Sequence, residues 1–145
     1  MRQLLIALLT GACFMPSFQA HAQSSAAGPI ATSAGTLQFE HADRNFVGKL
    51  DDLAFDRFDS RTLTHFDDIG DSGERVKRML VQTETGPVLY DFRQRPPVIQ
   101  HIDRRMTVKR VFWQGDEVVM QSSQGWFRFQ RGVLTRLQAS TTTYH

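Results

Sequence analysis

Across residues 106–139, short runs rich in Val, Phe and Trp alternate apolar with polar positions, and Gly115, Gly125 and Gly132 separate the runs. Successive side chains on a strand point to opposite faces. A period of two between glycine turns therefore predicts consecutive antiparallel hairpins. Val118 and Met120 alternate with Val119 and Gln121, and Phe127 and Phe129 alternate with Trp126, Arg128 and Gln130. These residue types suit a pleated, half-buried surface. The stretch confines the chain to a mainly β fold, an antiparallel meander closing as a sandwich or small barrel.

The same signals continue upstream. Residues 36–41 alternate Leu37 and Phe39 with Gln38 and Glu40, and residues 46–50 read as a short strand whose Gly48 marks a bulge or bend. Residues 51–59 carry a different spacing. Leu50, Leu53, Ala54 and Phe58 fall at i, i+3, i+4 and i+8, which predicts one short helix near 51–59 begun by Asp51 and Asp52. A strand from Leu53 is the competing reading. Extended segments follow at 61–66, 75–83, 88–93 and 98–103, with Gly86-Pro87 as a turn and Pro96-Pro97 placed at an edge or a crossing. About nine strands result, too many for one flat sheet. No internal repeat of solenoid length is expected.

Residues 1–22 have the form of an export leader. Arg2 supplies the positive start, residues 4–15 an apolar run, and Ala20-His21-Ala22 a small-x-small cleavage site. The run is shorter than the ~20 residues a membrane-spanning helix needs. Cleavage after Ala22 would leave a periplasmic or secreted protein. Leu9-Thr10-Gly11-Ala12-Cys13 resembles a lipobox with one residue too many, and its use would instead give a lipoprotein anchored at Cys13. Membrane association is expected only in that case. Cys13 is the only cysteine, so the mature domain is expected to hold neither disulfide nor thiol nucleophile. Small polar residues at 23–35 read as a flexible linker, 36–139 as a single β domain and 140–145 as a C-terminal tail.

Charge is divided along the chain. From Glu40 to Glu74 there are ten acids against four bases; from Arg75 onward there are twelve bases against five acids. Either the two halves pair with each other, or the basic half faces an anionic partner. Nucleic acid is not expected as that partner, because sixteen bases stand against fifteen acids after residue 22.

Three histidines are each followed two residues later by an aspartate: His41 by Asp43, His65 by Asp67 and His101 by Asp103. On a strand such pairs share a face. His65-x-Asp67 with a later His101 resembles the two-histidine, one-carboxylate site of non-haem iron oxygenases. That resemblance implies a divalent transition metal on His65, Asp67 and His101, with Arg110 holding an acidic co-substrate. The competing reading is local pairing of imidazole and carboxylate at strand ends. Other catalytic patterns are weaker: no G-x-S-x-G occurs, and Gly70-Asp71-Ser72-Gly73 is similar to the GDSG of trypsin-like proteases over four residues only.

Basic and aromatic residues concentrate late in the chain. Arg104, Arg105, Lys109 and Arg110 precede Phe112 and Trp113, while Trp126 and Arg128 fall on the strand face opposite Phe127 and Phe129. Guanidinium beside an exposed aromatic suits an anionic group, a sugar ring or a protein surface. The expected function is a non-enzymatic, cofactor-free binding protein. Its Arg-aromatic face of Arg104, Arg105, Arg110, Trp113, Trp126 and Arg128 would recognise a partner protein or an anionic envelope component. The alternatives are the small metal-dependent enzyme and a subunit of a cell-envelope assembly.

Overall fold

The computed structural model describes residues 23–70 and 73–137. The leader expected at 1–22, Cys13 within that stretch, Asp71-Ser72 and the expected tail lie outside those residues. Every described element is a strand, and the strands form three antiparallel sheets, none closed into a barrel. The first sheet holds β2 (Ile30–Thr32), β3 (Gly35–Ala42), β4 (Asn45–Leu50) and β5 (Leu53–Asp59) in sequence order. The second runs β1 (Gln23–Ser24), β6 (His65–Asp68), β7 (Arg78–Thr83), β8 (Gly86–Asp91) and β9 (Val98–His101), and the third β10 (Val108–Gln114), β11 (Glu117–Ser122), β12 (Gly125–Gln130) and β13 (Val133–Leu137).

The second sheet is the middle layer, and its sequence shows why. Met79, Leu80 and Val81 are consecutive buried residues, as are Val88, Leu89 and Tyr90. A strand covered on both faces reads as a continuous apolar run rather than an alternation. Met79, Val81, Val88 and Tyr90 join the core shared with Leu37, Phe39, Phe46 and Phe58 of the first sheet. Leu80, Leu89 and Phe66 point the other way, into a second core with Val111, Val118, Met120, Phe127 and Phe129. The outer sheets keep one face in solvent and alternate accordingly.

One hairpin is built three times. Thr32, Thr83 and Ser122 each donate a hydroxyl hydrogen bond to the carbonyl of the glycine three residues on, Gly35, Gly86 and Gly125, at 2.6, 2.6 and 2.9 Å. Each also accepts from the N–H two residues on, at 3.2, 3.3 and 3.2 Å. Two positions outside each turn, Ile30 faces Leu37, Val81 faces Val88 and Met120 faces Phe127. An aromatic residue follows two further on: Phe39, Tyr90 and Phe129. The sequence thus carries a hairpin repeat where none of solenoid length was expected. It escapes notice because different connections separate the three copies.

Two expectations are corrected here. Residues 51–59 form no helix: Asp51 and Asp52 both have positive φ, 47° and 68°, and make the two-residue turn between β4 and β5. Aspartate tolerates the left-handed region because its carboxylate bonds nearby backbone, here the Thr36 N–H at 2.9 Å. Leu53 is consequently exposed, and Phe58 reaches the core as a strand residue. Residues 23–35, read from composition as a linker ahead of the domain, instead contribute β1 and β2. Thr32 there is buried, and Ser33 donates its N–H to the Val76 carbonyl at 3.0 Å. The bulge expected at Gly48 is present. The register between β4 and β5 shifts beside it, and the Phe55 ring occupies the space a side chain would need.

Candidate binding face

The third sheet turns one face to its core and the other outward. Across the sheet, Val111, Met120 and Phe127 stand in register on the inner face. The adjacent rows are therefore outward: Arg110, Gln121, Trp126 and Leu137 in one, Phe112, Val119, Arg128 and Thr135 in the next. A register shift at Lys109 sets this parity. The extra residue lets Val108 and Val111 both face inward while Lys109 and Arg110 stay exposed.

Phe112 and Trp126 belong to β10 and β12, two strands apart, yet their rings meet over β11. The centroids are 5.8 Å apart and the planes are inclined by 29°. Arg110 and Arg128 occupy the other diagonal of the same quadrilateral, whose sides are roughly 10 Å across the strands and 7 Å along them. Arg110 is exposed and has no ion-pair partner among the described residues. Arg128 Nε is 3.8 Å from Glu117 Oε2, beyond hydrogen-bonding distance. Two guanidinium groups thus flank an aromatic ridge. The cations can take carboxylate or phosphate oxygens while the ridge accepts an apolar or ring surface.

The other three residues expected on this face lie elsewhere. Trp113 is opposite Val118 and faces the second sheet, with the Arg78 guanidinium 4.9 Å from its ring centroid. Arg78 Nε is in turn 2.8 Å from Asp68 Oδ2, a buried ion pair between the layers. The indole N–H of Trp113 is buried without a partner among the described residues. Arg104 lies over the Phe127 ring at 4.8 Å and donates from Nε to Gln124 Oε1 at 3.0 Å, so it closes the end of the inner core. Arg105 lines a cleft at the end of the stack.

The histidine-aspartate pairs do not converge on a metal. His65 is fully buried, with Nδ1 2.6 Å from Asp67 Oδ1 and Nε2 2.7 Å from the Ala26 carbonyl oxygen. Both ring nitrogens are therefore occupied by protein. Burial pulls the imidazole pKa down, but the hydrogen bond to Asp67, its charge and the Ala26 carbonyl together raise it above the ordinary value of 6.5. His101 shares the sheet row of His65 but stands three strands away, roughly 14 Å at the usual strand spacing. That separation corrects the expected ligand set. Among the described residues no group of three His, Cys, Asp or Glu side chains converges as a metal site. His41, for its part, stacks on Phe46 at 4.5 Å.

Comparison with family models, with curated proteins and with solved structures finds no match to this chain. The cleft that takes Arg105 was not foreseen from the sequence. Its walls come from segments up to 63 residues apart, and no local pattern links them.

Proposed function

We propose that this chain is an exported, non-enzymatic binding protein that engages an anionic envelope component or a partner protein through the outer face of its third sheet. The observation that carries the reading is the diagonal of Phe112 and Trp126 crossed by the diagonal of Arg110 and Arg128. Desolvating two arginines beside an aromatic ridge favours a partner that presents oxyanions next to an apolar or ring surface. The apolar run and small-x-small site at 4–22 support export.

Tagged protein comprising residues 23–145 should capture its partner from an envelope fraction, and the double variant W126A/R128A should lose it while remaining folded. Equal capture by that folded variant would overturn the reading. So would failure of the unaltered protein to retain anything from the fraction.

A further inference from the structure

At one end of the stack four connections come together: residues 60–62 between β5 and β6, 82–84 at the β7–β8 turn, 105–107 ahead of β10, and Ser123 in the β11–β12 turn. They line an open cleft of about 460 Å³, within the range of small-molecule sites. Its walls are tied together across all three sheets. The Glu84 N–H donates to the Asp59 carbonyl at 3.0 Å, and Gln82 bridges the second and third sheets through Met106 and Val108 at 2.9 and 2.8 Å. Thr107 donates its N–H to Ser123 Oγ at 3.1 Å.

The side chains left over are chemically specific. Arg61 and Arg105 are exposed, and neither guanidinium has an ion-pair or hydrogen-bond partner among the described residues. The Glu84 carboxylate is likewise unpaired, and the Thr62 and Thr107 hydroxyls have no protein partner among the described residues. Met106 is the one apolar lining residue, and it is buried. A wholly apolar ligand gains little here. A polyanion meets Glu84 as a like charge.

We propose that this cleft binds a sugar carrying a single acidic group, its carboxylate or phosphate held by Arg61 and Arg105 and its ring hydroxyls by Glu84, Thr62 and Thr107. One oxyanion takes forked hydrogen bonds from the two guanidinium groups. The carboxylate of Glu84 accepts from hydroxyl groups, which a bare inorganic anion does not offer. This site is separate from the outer face of the third sheet.

The test is titration of the full mature chain with glucuronate, glucose 6-phosphate and neutral glucose, followed by amide chemical shifts in low salt. Saturable shifts confined to residues 60–62, 82–84, 105–107 and 123 are expected for at least one acidic sugar, and which one responds identifies the anion. Glucose should bind at least tenfold more weakly. The variant R61Q/R105Q should lose at least tenfold in affinity with an otherwise native spectrum, and either single variant should lose part of it. W126A/R128A should bind as the unaltered chain does, which separates this site from the proposed partner face. No saturable shift, equal binding of glucose, or unchanged affinity in R61Q/R105Q would each overturn the proposal.

Discussion

His65 Nδ1 lies 2.6 Å from Asp67 Oδ1, and the opposite ring nitrogen lies 2.7 Å from the carbonyl of Ala26, in the segment that joins β1 to β2. A carboxylate and a backbone carbonyl both accept, so the doubly protonated imidazolium fills both bonds. The Phe39 ring covers it, with centroids 5.7 Å apart, and Asp67 is the charged group that faces it. A pattern that resembled metal ligation is instead an internal cross-link. It holds the connection between β1 and β2 to β6 of the middle sheet.

Stability should therefore depend on pH in a definite direction. The folded-state pKa of His65 is raised above 6.5, so its contribution is fully present below about pH 6.5 and is lost as pH rises through the folded value. Urea midpoints measured from pH 5 to 9 should fall over that interval. His65→Gln should flatten the dependence. Asp67→Ala should cost about 1–3 kcal/mol at pH 6, since it strands a buried donor.

The two tryptophans should separate binding from folding. Trp113 faces the core beneath Arg78, so Trp113→Ala should destabilise by about 3 kcal/mol and lower the thermal midpoint by many degrees. Trp126 is half-buried on the outer face, where its stacking on Phe112 contributes roughly 0.5–1.5 kcal/mol beyond area burial; its alanine variant should destabilise less than Trp113→Ala yet lose the partner. Thermal denaturation beside a capture assay reads both effects. A larger midpoint drop for Trp126→Ala would reverse the assignment of faces.

Each copy of the repeated turn should contribute alike. Thr32→Val, Thr83→Val and Ser122→Ala remove one hydroxyl that both donates and accepts, and each should cost about 1–2 kcal/mol by equilibrium unfolding. At the middle copy, Gly86→Ala should cost more than Thr83→Val. A methyl group there runs into the carbonyl oxygens of Arg104 and Ile102, and the φ of 134° disfavours any side chain.

Gly48 tests the first sheet. An added Cβ would stand 2.9 Å from the Phe55 ring, whose edge meets Tyr90 with centroids 5.0 Å apart in the core. Gly48→Val should thus destabilise by about 1–3 kcal/mol through overpacking. The double change Gly48→Val with Phe55→Ala should recover part of the loss. Additive losses in that pair would show that the ring is not what Gly48 accommodates.

What the sequence alone determined is what alternation encodes. Phe127 and Phe129 must share a face opposite Trp126 and Arg128 because neighbouring Cβ atoms on a strand point apart, and the structure has them so. The mainly β class followed from the same local rule. In Val111-Phe112-Trp113, by contrast, three apolar residues run together, and only pairing of Val111 with Met120 sends Trp113 inward and leaves Phe112 outside. Leu50, Leu53, Ala54 and Phe58 fit a helix as spacing, until Asp51 and Asp52 adopt left-handed backbone and turn the chain. The small residues at 23–35 gain order from the adjacent strand β3 and from partners such as Phe66 and Val76, more than forty residues away. Local alternation fixes which side a residue faces. Which sheet lies against that side, and whether four loops meet to form a cleft, depends on long-range packing that no short window of sequence contains.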